Sequence, residues 1–239
     1  MNNHEIKNVI DILVDTYPDA NCELEHRNPF ELLIATVLSA QTTDKKVNEI
    51  TKELFKEYST PKDFLKLTRE ELEEKIKKIG LYRNKSKNIL LLCKELEEKF
   101  ESQVPNDFND LTSLPGVGRK TANVVLANAF KVPTIAVDTH VFRVSNRIGL
   151  VDASNVLKTE EQLQQAIPKE LWILMHHVLI FHGRRCCVAR KPKCEECTIK
   201  NIANIIMKKL NHLKYKCLLI IANYLISKMV LLLKISTCG

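Results

Sequence analysis

Four residues, Pro115-Gly116-Val117-Gly118, limit the fold of this chain more than any other stretch. Neither proline nor glycine suits a helix interior, so no helix runs through them. Both flanks nevertheless carry helical periodicity. Phe108, Leu111 and Leu114 recur at that spacing before the turn, and Ala122, Val125, Leu126 and Ala129 follow it at i, i+3, i+4, i+7. The stretch therefore reads helix, tight glycine turn, helix. Its second helix begins with Gly118, Arg119, Lys120 and Thr121, which sets free backbone N–H groups beside two cations. Such an arrangement accepts a phosphate.

Helical spacing runs through the rest of the chain. Residues 5 to 17 place Ile6, Ile10, Leu13, Val14 and Tyr17 on one face. Asn28-Pro29-Phe30-Glu31 supplies an N-cap, a proline at N1 and a glutamate at N3. That helix runs to Leu38 and ends in a polar break from Ser39 to Asp44. Residues 45 to 58 and 63 to 79 form two Lys/Glu-rich helices with apolar stripes and solvated charges, the second stopped by Gly80. The next carries Ile89, Leu92, Cys93 and Leu96, with Cys93 read as a buried thiol. Its start, Lys85-Ser86-Lys87-Asn88-Ile89, echoes Lys120-Thr121-Ala122-Asn123-Val124 but lacks the glycine turn. Asp138 precedes a helix carrying Val141, Val144 and Ile148, where its local role is N-cap, and two more helices span residues 160 to 182. His176 and His177 lie within the last of these as packed side chains. No strand alternation of useful length occurs, so the fold class is all-α.

The chain is 239 residues long, enough for one large domain or two modest ones. A net charge of +7 points to a polyanionic partner. The polar N-terminus has no signal-peptide core, which predicts a cytoplasmic protein. In that compartment the eight cysteines are thiols or metal ligands, not disulfides. Cys187, Cys194 and Cys197 follow C-x6-C-x2-C, with Arg190, Lys191 and Lys193 between them. This is a metal centre by spacing, and zinc and iron–sulfur remain equally open on that ground. Cys186 falls outside the pattern and is assigned no ligand role.

Taken together, Leu38-Ser39-Ala40-Gln41, Ile79-Gly80-Leu81-Tyr82, the hairpin from Leu114 to Asn123, Val137-Asp138-Thr139-His140 and the cysteine run resemble endonuclease III. This is the bifunctional DNA glycosylase family of the helix-hairpin-helix, Gly/Pro…Asp superfamily. The resemblance covers residues 1 to about 202. It implies two helical domains with a DNA-binding cleft between them: residues 22–132, a helical barrel with the hairpin, and residues 1–21 with 133–202, holding the cluster. Lys120 and Asp138 then face each other across the cleft. A neutral Lys120 amine would attack C1′ of an extruded nucleotide, expel the damaged base and leave a Schiff base that permits β-elimination. A desolvated position would favour the neutral amine, and Asp138 would orient it, take its proton or stabilise charge on the sugar.

By the same resemblance Gln41 and Leu81 fill the gap left by the flipped nucleotide, as an amide and an apolar wedge can. Gly116, Gly118 and Arg119 hold the strand, joined by His140 and Arg143 after the aspartate and by Arg190 and Lys191 in the basic loop. The substrate implied is duplex DNA with oxidised pyrimidines or abasic sites. The protein would be a monomer, nucleoid-associated if bacterial, with no membrane contact. The cofactor implied is a [4Fe-4S] cluster acting as a structural staple. Two competing readings are a mismatch adenine glycosylase, which generally lacks a lysine at position 120 and carries a further domain, and an inert or DNA-binding-only homologue.

The family's fourth ligand follows five residues after the third, at position 203, and here that residue is Ala203. Only three of four ligands are present, which predicts weak or absent cluster loading. Beyond this point the composition turns to Leu, Ile, Lys and Asn. Three origins fit: divergence with Cys217 completing the set, an apolar tail anchor over residues 218 to 233, or a frameshift. Asn223 and Lys228 interrupt the apolar run, which is shorter than the ~20 residues of a spanning helix. Back-translation with A/T-rich codons, with one T restored before the Ala203 codon, yields a cysteine, a short polar tail and a stop. Residues 203 to 239 are therefore read as out-of-frame translation, a reading that sequencing the gene decides.

Overall fold

The computed structural model describes residues 1–203, and all regular structure there is helical. Position 203 closes a last helical turn, its N–H donating to the Ile199 carbonyl at 3.0 Å. The readings of Cys217, the apolar run 218 to 233 and the out-of-frame tail fall on residues 204–239, outside the described residues.

The chain opens with α1 (Asn3–Thr16), started by a reciprocal cap. The Asn2 side chain accepts from the Glu5 N–H at 2.8 Å, and the Glu5 carboxylate accepts from the Asn2 N–H at 2.9 Å. Next, α2 (Pro29–Leu38) begins as its sequence predicts, with Asn28 Oδ1 accepting from the Glu31 N–H at 2.9 Å. Because Leu32, Leu33, Ile34, Ala35, Val37 and Leu38 leave it no polar face, α2 sits at the centre of the first core. Around it lie α3 (Asp44–Glu57), α4 (Pro61–Phe64), α5 (Arg69–Ile76), α6 (Tyr82–Lys99), α7 (Phe108–Ser113) and α8 (Arg119–Phe130). The single helix read over 63 to 79 is in fact two. Thr68 and Glu71 form a capping box that starts α5 afresh, and apolar Leu65 is exposed in the intervening turn.

The second core joins α1 to α9 (Thr139–Ile148), α10 (Val156–Ala166) and α11 (Trp172–Arg185), with the extended residues 135 to 137 threaded between. Val9, Leu13, Val141, Val144, Met175, Val178 and Leu179 are wholly excluded from water in it. Burial of this kind stabilises by roughly 25 cal/mol per Å² of apolar surface, which locks α9 and α11 together. The glycine turn forms as expected. Val117 N–H donates to the Leu114 carbonyl at 3.1 Å, and Gly116 adopts φ +80° against Asn88 of α6.

Candidate active site

A cleft of about 1350 Å³ opens between the two cores, and Lys120 and Asp138 both line it. Lys120 comes from the first turn of α8, in the first core; Asp138 caps α9, in the second. Gln41 and His140 line the same cleft, with Asp44, Lys45, Lys52 and Arg184. Asp138 uses one oxygen for the cap: Oδ1 accepts from the N–H groups of His140 and Val141, each at 2.8 Å. Among the described residues neither Oδ2 of Asp138 nor Nζ of Lys120 has a hydrogen-bonding or ion-pair partner. Lys120 is exposed, not desolvated as the sequence reading expects. Beside Asp138, buried His176 donates from Nδ1 to the Ala136 carbonyl at 2.7 Å, which fixes the ring and holds the chain leading into the cap.

Gln41 and Leu81 are placed as neighbours. Both hold left-handed backbone, φ 58° and 60°, and a Cβ built on Gly80 would stand 3.9 Å from the Gln41 carbonyl. Leu81 is 54% exposed although apolar, at a tip with nothing to bury it. The Gln41 loop is anchored from below by Lys85, the lysine of the sequence echo. Lys85 is buried and donates to the carbonyls of Leu38 and Ala40 at 2.9 and 2.6 Å. Of two lysines in matching local sequence, one closes a helix end and the other faces the cleft.

Gly118 caps α8 through no side chain, and a Cβ there would meet nothing within 4 Å, so the helix N-terminus stands open. Two cations assigned to DNA are held elsewhere. Arg119 makes a bidentate pair with buried Glu160, 2.8 Å on both arms, and stacks over Phe108 at 5.0 Å. Arg143 donates to the carbonyls of Gly183 at 2.9 Å and Cys187 at 3.1 Å and lies 3.2 Å from His140 Nδ1. Each guanidinium fork found a rigid protein acceptor, and that capacity is no longer free for phosphate. Arg190 and Lys191 stand exposed in the cysteine loop. Sequence reasoning missed Arg184, whose guanidinium pairs with Asp44 at 2.8 Å and with Glu23 and so ties α11 to the first core at the cleft mouth. Partners 140 and 161 residues away leave no local signal.

Behind α11, Cys187 is buried, Cys186 and Cys197 are half-buried and Cys194 is exposed. Arg147 Nη1 approaches the Cys187 sulfur at 3.7 Å. The Cys186 thiol, given no role from sequence, lies in a group with Cys197 Sγ and a His182 ring nitrogen whose atoms are all within 4.8 Å of one another. Burial and then the neighbouring sulfurs of Cys197, Cys187 and Cys194 push this thiol up to about 12. Several sulfurs crowded together cannot all ionise without a cation to bind them. The donors suit a thiolate-bound metal group.

Comparison with known proteins decides the family. Residues 34–169 match the HhH-GPD superfamily of base excision DNA repair proteins. Endonuclease III of Bacillus subtilis is 51% identical over 203 residues, which is 84% of this chain and 93% of the relative. The chain belongs to the endonuclease III family. Residues 187–202 match the iron–sulfur binding domain of endonuclease III, so a [4Fe-4S] cluster is the group expected here, and three of its four cysteine positions are filled. Endonuclease III of Escherichia coli is 46% identical, covering 84% of this chain and 96% of its own length. The solved structure of a non-covalent endonuclease III–DNA complex superposes with a TM-score of 0.82 at 50% identity, covering 87% of this chain and 99% of the other. That of a trapped endonuclease III–DNA covalent intermediate gives 0.80 at 53% identity, covering 82% and 93%. This endonuclease III family member is thus a DNA glycosylase with AP-lyase activity, acting in base excision repair and binding DNA. Among the described residues no helix is long and apolar enough to cross a membrane.

Proposed function

We propose that this enzyme excises oxidised pyrimidines from duplex DNA and cleaves the strand at the abasic site through a Schiff base on Lys120. The observation that carries the reading is the placement of Lys120 and Asp138 on one cleft, from different cores, each with reactive atoms unengaged. In this reading residues 22–132 form one domain and residues 1–21 with 133–202 the other, with the duplex between them. The enzyme works as a monomer in the cytoplasm, at the nucleoid in a bacterium.

The steps follow from these groups. The duplex covers the cleft, and the damaged nucleotide swings out of its stack to bring C1′ to Lys120. Gln41 and Leu81, adjacent at the rim, occupy the vacated space. As the C1′–N bond breaks, its electron pair leaves with the base, which is protonated, and Oδ2 of Asp138 stabilises positive charge on the sugar. The neutral Lys120 nitrogen bonds to C1′ and gives up one proton; the C1′–O4′ bond then breaks, the ring oxygen takes up a proton, and a protonated Schiff base results. Loss of a C2′ proton then expels the 3′ phosphate by β-elimination. Support for a covalent route comes from the trapped covalent intermediate of a relative 53% identical to this chain. Cys187, Cys194 and Cys197 would hold the cluster, which supplies a structural cross-link and no chemistry to these steps. The open N-terminus of α8 and the loop carrying Arg190 and Lys191 rest on phosphates.

The test is release of base and nicking of a duplex that carries one oxidised pyrimidine. Lys120→Gln should lose both products, and Asp138→Asn should slow them roughly 10²- to 10⁴-fold. DNA binding with neither product in the unmodified enzyme would overturn the reading in favour of a binding-only protein.

A further inference from the structure

At the end of α11 the amides of Cys186 and Cys187 both donate to the His182 carbonyl, at 3.0 and 2.7 Å, which turns the chain sharply. The loop that follows closes on itself. Lys193 N–H donates to the Cys186 carbonyl at 3.0 Å, and the Cys186 thiol faces the Lys193 carbonyl at 3.5 Å. Residue 186 is thereby held beside residue 193 and hence beside Cys194. Cys197 reaches the same place from the next turn, its sulfur 3.9 Å from His182 Nε2. Behind the sulfurs, the other ring nitrogen of His182 is occupied by the Tyr17 hydroxyl at 2.9 Å, which orients the imidazole.

The family pattern draws its fourth thiolate from position 203, where this chain carries a methyl group. A methyl has no lone pair for iron. A cubane cluster takes one thiolate at each iron, so three cysteines leave one iron without a protein ligand. The Cys186 thiol is of the right chemical type and within 4.8 Å of the Cys197 sulfur.

We propose that Cys186 supplies the fourth thiolate to the iron–sulfur cluster held by Cys187, Cys194 and Cys197, in place of residue 203. On loading, the Cys186 S–H proton passes to solvent and a sulfur–iron bond forms, with no change of oxidation state at sulfur. Loading requires a small rearrangement of the 186–193 loop to move the Cys186 and Cys197 sulfurs apart. The weak loading predicted from sequence counts three thiolates; a fourth from Cys186 would raise it.

The test is independent of catalysis. The full chain is purified without oxygen, reconstituted with ferrous iron and sulfide, and assayed for bound iron, acid-labile sulfide and alkylation of each cysteine. A full [4Fe-4S] complement is expected, with Cys186 shielded from alkylation when loaded and reactive after chelation. Cys186→Ser should lower bound iron and sulfide of the order of tenfold. Adding Ala203→Cys to Cys186→Ser should restore loading, which separates a missing ligand from a misfolded chain. Cys217→Ser and Cys238→Ser should change nothing. Equal loading in Cys186→Ser, loss of loading in Cys217→Ser or Cys238→Ser, or a parent chain that binds zinc without sulfide would each overturn the proposal.

Discussion

Lys85 Nζ donates to the Ala40 carbonyl at 2.6 Å and so ties α6 to the residue before Gln41. A second bond runs to the Leu38 carbonyl at 2.9 Å. Burial pulls the Lys85 ammonium below its ordinary pKa, and the two carbonyls take up its charge at the negative end of α2. Lys85→Met keeps the stem but leaves both carbonyls unpaired. It should cost about 2–4 kcal/mol in urea unfolding, and weaken binding to a duplex with an abasic site by releasing the Gln41 loop. Unchanged stability would show that water replaces the ammonium.

Arg119 is engaged within the protein by Glu160. Glu160 is 3% exposed and takes both guanidinium arms plus the Asn123 amide at 3.2 Å, joining α8 to α10 across the two cores. Breaking a buried pair costs about 3–5 kcal/mol, discounted here because the arginine side is half exposed. Arg119→Ala should therefore lower the melting temperature clearly while the slope of log binding constant against log salt stays the same. A slope reduced by about one would mean a lost phosphate contact.

Gly116 faces two obstacles to any side chain. Its φ of +80° is unfavourable for an L-residue, and a Cβ there would come within 3.0 Å of Asn88 Cβ. Gly116→Ala should destabilise by roughly 1–3 kcal/mol and weaken DNA binding as the hairpin shifts. Pairing it with Asn88→Gly should recover part of both losses; no recovery would place the strain in the backbone alone.

Two adjacent buried histidines, His176 and His177, make the fold sensitive to acid. Burial holds His176 down to about 4; burial, then His176 and Lys131, hold His177 down to about 3. Unfolded, each titrates near ~6.5. Between these values the unfolded chain binds more protons, so stability is complete above about pH 6.5 and is lost as pH falls toward the folded values. The loss is about 1.4 kcal/mol per pH unit for each ring below ~6.5. Unfolding free energies measured from about pH 7 to 5, above the carboxylate range, should fall steadily. A flat profile would mean that the rings are protonated within the fold.

Most helices were legible because their signals are local. Asn28 and Asp138 cap where their sequences say, and the glycine turn admits one conformation. The break at Thr68 was present as a capping box but was masked by apolar residues that happened to keep helical spacing across it. Lys120 and Asp138, which line one cleft, could be singled out because the motifs that carry them are contiguous. Arg184 and Cys186 were not, since their meaning lies in partners brought close only by folding. Arg119 and Arg143 were placed on DNA by resemblance, and a motif cannot show that folding brings a buried carboxylate to one guanidinium and a row of carbonyls to the other.

Reduction of the enzyme–DNA complex with borohydride, followed by proteolysis and mass mapping, tests Lys120 as the nucleophile most directly. Borohydride converts a Schiff base into a stable amine and so marks the lysine that formed it. With duplex containing an abasic site, the adduct should map to Lys120, and Lys120→Gln should give none while binding the duplex within about threefold of the parent. An adduct on another residue, or one that survives in Lys120→Gln at the parent level, would contradict the assignment.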